Sequence, residues 1–309
     1  MRVGQAYGAG SAQSDFPLHD HCRKRSASRD PLGATLGAQI DGVDLASPLD
    51  TFAVAFLKEA WERHLVLRFR AQSHLSLQGQ IAFSQHFGVL DKRPIASKAL
   101  HYSVQDLPEE ITVISNLKVD EQPIGGLGDG ESVWHADMTY NPTPPRAALL
   151  HAREVPASGG DTQFLNLYAA YESLSDDLKQ TISDLVCIHD ASLNSASELR
   201  LGFARVTDPQ KTVGARLPLV RVHPKTGRKS LYLGRRRNAY VLGLPLADSE
   251  SLLDALWAHA AQDAFTWRQQ WQAGDLVAWD NRVTLHRRDA FDPQARCLMY
   301  RTQVSDCAL

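Results

Sequence analysis

The chain has 309 residues, of which 43% are hydrophobic and 22% are charged, and its formal net charge at pH 7 is −2. This composition is ordinary for a soluble globular protein, and the balanced charge argues against nucleic acid or a membrane surface as the main partner. No run approaches the roughly 18 apolar residues of a membrane helix. The four cysteines have no CxxC spacing, which predicts a reducing, cytoplasmic compartment.

Two regions differ in pattern. Residues 1–30 are rich in Gly, Ser, Ala, His and Arg, lack periodicity and contain no apolar core of a signal peptide, so they are predicted to be a flexible N-terminal tail. Residues 31–309 contain no linker-like stretch and are predicted to form one domain.

The first elements of that domain combine a hairpin with two helices. Alternating apolar and small residues predict a short hairpin over 32–45. Helical spacing of apolar residues predicts helices over 52–64 and 77–87, the second ended by Gly88, and a compact apolar run between them predicts a strand over 65–69.

Short strands dominate the rest of the chain. Apolar runs bounded by turn residues predict strands over 110–116, 147–153, 163–165, 218–222, 230–233, 275–278 and 297–304. Helical periodicity predicts two further helices, over 167–182 and 249–261. Many short strands with few helices predict a mostly β fold with flanking helices, of the sandwich or jelly-roll type.

One tripeptide in this β-rich region has the chemistry of a metal site. His135 and Asp137 are two residues apart, so a strand would point both side chains to the same face. His286, at the end of a β-prone run that begins at Leu276, supplies a candidate third ligand. Two histidines and one carboxylate are the facial triad of non-haem Fe(II) oxygenases. Taken singly, each residue also fits an ordinary role in packing, hydrogen bonding or a turn.

Five sequence blocks in order resemble the TauD/TfdA family of Fe(II)/2-oxoglutarate-dependent dioxygenases. The blocks are PLGATLGAQIDGVDL, WHADMTYNPTPP, EVPASGGDTQF, HPKTGRKSLY and GDLVAWDNRVTLHRRDAF, within residues 31–304. The resemblance implies a double-stranded β-helix fold and an enzyme that oxidises a C–H bond of a small, polar or charged metabolite and releases succinate and CO₂. It also implies that relatives often form dimers or tetramers.

The resemblance assigns roles to individual residues. It implies that His135, Asp137 and His286 bind Fe(II), with 2-oxoglutarate and O₂ as cosubstrates, and that the Thr162 hydroxyl contacts the far carboxylate of 2-oxoglutarate. In related halogenases a halide takes the place of the carboxylate ligand, so Asp137 implies hydroxylation and not halogenation. Desaturation or fragmentation after hydroxylation stays open, because these outcomes depend on the substrate.

The chain departs from the family at the cation that pairs with 2-oxoglutarate. The family usually has an arginine about eleven residues after the distal histidine, where this chain has Cys297, and a second arginine four residues later, which is Arg301 here. Strand alternation places Cys297 and Arg301 on one face and Arg296 on the other, unless a bulge changes the register. A carboxylate needs a fixed cation. We therefore expect Arg301 to anchor 2-oxoglutarate, with Arg296 as the alternative.

Candidate substrate contacts also differ from those of the taurine-oxidising members of the family. Arg93 stands where they have a histidine, Glu131 where they have an asparagine, and Ala96 where they have a tyrosine. Arg93 and Glu131 could together bind a zwitterion, or both could be solvated loop charges. Met138, next to Asp137, is a further candidate contact.

Two other functions remain compatible with the sequence. One is a non-catalytic barrel that binds a small acid or a metal and has lost cosubstrate anchoring together with the arginine at position 297. The other is a hydrolase that uses Zn²⁺ on the same three ligands.

Overall fold

The described part of the chain contains nineteen short strands and five α-helices. The computed structural model describes residues 27–93 and 106–306. The strands are β1 (Ser28–Pro31), β2 (Ala38–Asp41), β3 (Val66–Phe69), β4 (Thr112–Ser115), β5 (Lys118–Val119), β6 (Gln122–Pro123), β7 (Gly126–Leu127), β8 (Ser132–His135), β9 (Ala147–Glu154), β10 (Thr162–Asn166), β11 (Val186–Asp190), β12 (Gly214–Pro218), β13 (Val220–Val222), β14 (Lys229–Leu231), β15 (Tyr240–Val241), β16 (Thr266–Gln269), β17 (Leu276–Asp280), β18 (Thr284–Arg288) and β19 (Leu298–Val304). The described helices are α1 (Thr51–His64), α2 (Leu77–Gln85), α3 (Leu167–Glu172), α4 (Asp176–Ile182) and α5 (Leu246–Ala260), with 3₁₀ turns at Pro209–Lys211 and Asp263–Phe265.

Two sheets form the framework. The larger has eight strands in the order β1-β2-β3-β17-β9-β19-β4-β7, and the smaller has four in the order β16-β10-β18-β8. A three-stranded sheet, β12-β11-β15, and two hairpins, β13-β14 and β5-β6, complete the described strands. The mostly β fold with flanking helices that the sequence predicts is confirmed.

Strand β17 shows how the layers pack. Val277 and Trp279 point into an apolar cluster that also contains Phe164 of the four-stranded sheet, so this cluster lies between the two sheets. Leu276 and Ala278 point the other way, into a cluster shared with α1 and α2. The alternation follows from the two-residue period of a strand. Both faces of β17 are therefore buried, one against a sheet and the other against helices.

Most predicted elements are confirmed within a few residues, but the helix predicted over 167–182 is wrong as a single element. The structure divides it into α3 and α4, because the Ser175 side chain accepts a hydrogen bond from the backbone N–H of Leu178 and caps a new helix. Leu65, predicted to open a strand, instead ends α1 with a left-handed φ of 64°. Strands β11 and β16 are not among the strands that the sequence pattern predicts.

The first described strand begins at Ser28, within the region predicted to be a flexible tail. β1 pairs with β2 and includes residues 28–30, which the sequence analysis assigned to the tail, while residues 1–26 lie outside the described part. In the stretches 27–93 and 106–306, no helix combines the length and the apolar character that a membrane crossing requires.

Candidate active site

His135, Asp137 and His286 come together in the four-stranded sheet. His135 ends β8, and it pairs across the sheet with His286 in β18. Nε2 of His135 lies 3.8 Å and Nε2 of His286 lies 3.9 Å from Oδ1 of Asp137. All three side chains are buried, and one ligand atom from each lies within 4.8 Å of the others. The structure thus brings together the three predicted metal ligands.

Asp137 reaches this position in a different way from the one that the sequence predicts. The strand ends at His135, and Asp137 lies in the turn that follows, so the prediction that one strand holds both ligands is wrong in this detail. After His135 the backbone leaves the sheet, and the N–H of Ala136 donates a hydrogen bond to the carbonyl of Gly234. Met138, the next residue, has a left-handed φ of 53°.

Asn281 fixes the backbone of this turn. Its Oδ1 accepts a hydrogen bond of 2.7 Å from the N–H of Asp137, and its Nδ2 donates to the carbonyls of Asp137, at 3.0 Å, and Pro145, at 2.8 Å. Asn281 is completely buried. Its side chain therefore holds the Asp137 backbone by both polar groups, at the point where sheet pairing no longer does so.

The protonation states suit a divalent metal. Burial, with His286 nearby, holds the pKa of His135 well below 6.5, and burial lowers the pKa of His286 to about 4, so both imidazoles are neutral at pH 7. Burial acts to raise the pKa of Asp137, but the nearby Arg301 guanidinium opposes it, and the pKa is lowered. Nδ1 of His135 is 2.7 Å from the carbonyl of Val133, which directs Nε2 toward the ligand cluster. Neutral imidazoles with an ionised carboxylate are the donor set that Fe(II) takes in such triads.

Asp280, adjacent to Asn281, serves a separate buried network. Its carboxylate accepts hydrogen bonds from Nε, at 2.9 Å, and Nη2, at 2.6 Å, of Arg282, and it lies 3.4 Å from Nε2 of His223. Asp280 therefore stabilises a buried cation next to the active-site sheet and has no described contact with either imidazole of the ligand cluster.

A pocket lies against the ligand cluster. Its cavity volume is about 50 Å³. Its lining includes apolar side chains from Ile114, Leu127, Leu150, Trp279 and Met299 and polar ones from Ser132, His135, Thr162, His286, Arg288 and Arg301. Thr162 opens β10, and its Oγ1 accepts a hydrogen bond of 3.0 Å from Nε1 of Trp271. An apolar pocket with few convergent polar groups is the usual form of a small-molecule site.

The arginines differ in their access to this pocket. Arg301 lines it, with Nη1 3.1 and 3.2 Å from the two carboxylate oxygens of Asp137. Cys297 is buried, whereas Arg296 is exposed and forms a two-point ion pair with Glu154. The opposite exposure of Arg296 and Cys297 agrees with the predicted alternation, although both residues precede β19, which begins at Leu298. Arg288, which the sequence analysis did not select, also lines the pocket. The sequence could have indicated this, because Arg288 is two residues after His286 and a strand points both side chains to the same face.

The other predicted substrate contacts are spread out. The Arg93 backbone N–H and Nη1 donate to the carbonyls of Glu109 and Ile111, whereas Glu131 is exposed and lies 3.9 Å from Arg287. The described contacts therefore do not pair Arg93 with Glu131. Ala96 lies outside the described residues. Met138 is half-buried and adjacent in sequence to Asp137, and its contact with substrate stays a prediction.

Comparisons with known proteins agree with this geometry. The chain is 35% identical over 280 residues to an (S)-phenoxypropionate/alpha-ketoglutarate-dioxygenase of Delftia acidovorans, an alignment covering 89% of this chain and 94% of that protein. It is 34% identical over 301 residues to an alpha-ketoglutarate-dependent 2,4-dichlorophenoxyacetate dioxygenase of Cupriavidus pinatubonensis, covering 92% and 99%.

A solved structure and a family model extend the comparison. The structure of AAD-2 in complex with Mn(II) and N-oxalylglycine superposes with a TM-score of 0.73 at 31% identity, covering 92% of this chain and 98% of that one. The model of the taurine catabolism dioxygenase TauD, TfdA family matches residues 28–303. Since this match spans most of the chain, the protein belongs to the TauD/TfdA family of dioxygenases, which use Fe(II), 2-oxoglutarate and O₂.

Proposed function

We propose that this Fe(II)- and 2-oxoglutarate-dependent dioxygenase hydroxylates a C–H bond of a small organic anion. The observation that carries the proposal is the buried cluster of His135, Asp137 and His286 with the Arg301 guanidinium beside it. When bound, Fe(II) and 2-oxoglutarate supply the activation of O₂ for C–H oxidation, and 2-oxoglutarate leaves as succinate and CO₂.

The residues of the chain would prepare this chemistry by holding and shielding the reactants. Nε2 of His135, Nε2 of His286 and the carboxylate of Asp137 would hold the iron. Trp279 packs against His286, with ring centroids 4.9 Å apart, and covers the ligand cluster on that side. The Thr162 hydroxyl accepts its hydrogen bond from Trp271, so its own proton is free to be donated to a carboxylate oxygen.

The substrate class rests on charge and on the relatives. The names of the two similar enzymes specify phenoxypropionate and dichlorophenoxyacetate, which are both carboxylates with an apolar body. Arg301, at the metal end of the pocket, offers this chain a cation for such a group. Loss of cosubstrate anchoring, the basis of the non-catalytic alternative, does not follow from Cys297 alone, because two other arginines line the pocket.

The proposal also includes the fold type, the cellular location and the oligomeric state. We propose that the two facing sheets form a double-stranded β-helix, which the family membership and the shared apolar cluster support. Cysteine usage supports a cytoplasmic location. The family resemblance supports a dimer or tetramer, which light scattering during size-exclusion chromatography would test.

Succinate release tests the function. Purified protein is incubated in air with Fe(II), 2-oxoglutarate and a panel of aryloxy and alkyl carboxylates, sulfates and matched neutral esters. We expect an anionic member of the panel to stimulate succinate release and the neutral esters to fail.

Two variants control the assay. His135→Ala should abolish stimulated release, whereas His74→Ala, at an exposed histidine paired with Asp44, should retain it. Absence of succinate with every compound in the folded, iron-loaded wild type would contradict the reaction, and equal stimulation by esters would contradict the anionic substrate.

A further inference from the structure

Arg288 is a half-buried cation that makes no ion pair within the described residues, although the Asp129 carboxylate lies near enough to act on it electrostatically. Its Nη2 donates hydrogen bonds to the backbone carbonyls of Leu127, at 2.8 Å, and Gly130, and its Nε is buried with no hydrogen-bond partner. Among residues 27–93 and 106–306, no ion pair includes Arg288. Placing a guanidinium away from water is costly unless a negative group compensates it. The side chain nevertheless lines the pocket next to the metal ligands, where an anion could provide that compensation.

The register of the four-stranded sheet places Arg288 one step away from the metal ligands. His286 pairs with His135, while Arg288 pairs with Thr162 on one side and with Ser132 on the other. Paired residues of antiparallel strands project from the same face. The sheet therefore presents two rows of side chains, one with the imidazoles and one with Thr162 and Arg288. Two residues along a strand separate the rows by about 6–7 Å.

This separation suits the length of 2-oxoglutarate. A five-carbon chain spans about 5 Å between its terminal carbons, because each C–C bond is about 1.5 Å long. If the 2-oxo acid end lies at the row of imidazoles, the distal carboxylate extends to the row of Thr162 and Arg288. Leu150 and Met299 of the same pocket offer apolar contacts for the methylene groups between the two ends.

Neither Arg301 of β19 nor Cys297 just before it provides a cation at the row of Thr162. Arg301 lies at the metal end, with Nη1 3.1 Å from the Asp137 carboxylate. Cys297, four residues earlier, is buried in an apolar cluster that also contains Met299. Burial raises the pKa of the Cys297 thiol, which is therefore neutral at pH 7 and provides no charge of its own. The cation at the end of the pocket far from Asp137 comes from β18.

We propose that Arg288, together with Thr162, binds the distal carboxylate of 2-oxoglutarate in this chain, and that Arg301 is thereby left to the anionic group of the substrate. The assignment rests on the proposed function, since it requires 2-oxoglutarate in this pocket. It differs from the expectation that the sequence raised for Arg301. The guanidinium of Arg288, in β18 of the four-stranded sheet, compensates for the cation that Cys297, just before β19 of the eight-stranded sheet, does not provide.

The test compares two 2-oxo acids that differ only at the far end. Isothermal titration calorimetry under anaerobic conditions measures the Kd of 2-oxoglutarate and of 2-oxopentanoate, which lacks the distal carboxylate, for protein loaded with Mn(II). Arg288→Gln should weaken 2-oxoglutarate by at least about 30-fold and leave 2-oxopentanoate within about twofold, since only the former has the charged group that Arg288 binds. Retained binding of 2-oxopentanoate shows that the metal end is intact.

Matched variants separate the arginines. The measured quantity is the Kd of 2-oxopentanoate divided by the Kd of 2-oxoglutarate. Arg301→Gln and Arg296→Gln should leave this ratio unchanged, and Arg301→Gln should instead raise the KM of the substrate anion. If Arg288→Gln does not fold, Arg288→Lys gives the same comparison. Lysine keeps the positive charge but lacks the planar, two-point hydrogen bonding of the guanidinium, so the ratio should fall several-fold.

Two results would overturn the assignment. The first is that Arg288→Gln, or Arg288→Lys in its place, leaves the ratio unchanged. The second is that Arg301→Gln lowers the ratio instead. Metal-loaded wild type that binds neither 2-oxo acid would contradict the proposed function itself, a failure distinct from 2-oxoglutarate binding that is indifferent to Arg288.

Discussion

Asn281→Ala should weaken metal binding through the backbone of Asp137. The wild-type side chain makes three buried hydrogen bonds, two to the backbone of Asp137 and one to the carbonyl of Pro145. At about 1 kcal/mol each, their loss lowers the free energy of unfolding of the metal-free protein by about 3 kcal/mol. The metal affinity should fall by about 10–100-fold, the usual effect of removing a group that orients a ligand.

Asn166→Ala is a matched control for this experiment. Asn166 is also buried, and its side chain also makes three hydrogen bonds, from Nδ2 to the carbonyl of Thr35 and from the N–H groups of Tyr168 and Ala169 to Oδ1. It makes no described contact with a metal ligand. We expect a similar loss of stability, about 3 kcal/mol, and a metal affinity close to that of the wild type.

The assay measures both quantities on the same samples. Urea unfolding in the presence of a chelator gives stability, and isothermal titration calorimetry with Mn(II) gives metal affinity. If Asn281→Ala and Asn166→Ala lose stability equally and both keep wild-type metal affinity, Asn281 has only a structural role and the reasoning about the Asp137 turn is refuted.

Two further predictions concern the packing around the site. Asp280→Asn leaves Arg282 buried without its carboxylate and should lower the free energy of unfolding at pH 7 by about 3–5 kcal/mol. Burial acts to raise the pKa of Asp280, but Arg282 outweighs it and holds the pKa at about 2, below the ordinary 3.8. This stabilisation is therefore present above pH 4 and is lost as the pH falls through about 2. Urea titrations at several pH values should show that the free energy of unfolding depends less on acid pH in the variant, and an equal dependence in variant and wild type would contradict the assignment. Gly234→Ala, at φ +65°, places a Cβ 1.9 Å from Nδ1 of the buried His189 and should destabilise the protein by about 3 kcal/mol or more. Gly227→Ala, at φ +68° with open space around it, should cost only about 1–2 kcal/mol in the same urea titration, and equal losses would refute the steric argument.

The sequence by itself determined the chemistry of the metal site. His135, Asp137 and His286 could be selected because residue type and short spacing limit what such groups do, and because the five sequence blocks keep their order along the chain. Strand alternation also separated Arg296 from Cys297 and Arg301, since the two-residue period is a local property of the backbone. These predictions needed no knowledge of which strands are neighbours.

Only the tertiary structure decided how the site is supported. Asn281 lies 144 positions after Asp137, and its hydrogen bonds form only after the two turns meet. The pairing of Arg288 with Thr162, which places a cation beside the predicted carboxylate contact, depends on the register between β18 and β10. Register is set by long-range packing of both faces, and no local pattern in either segment specifies it. The sequence therefore determined which groups bind the metal, and the folded sheet decided which groups hold them and which cation faces the pocket.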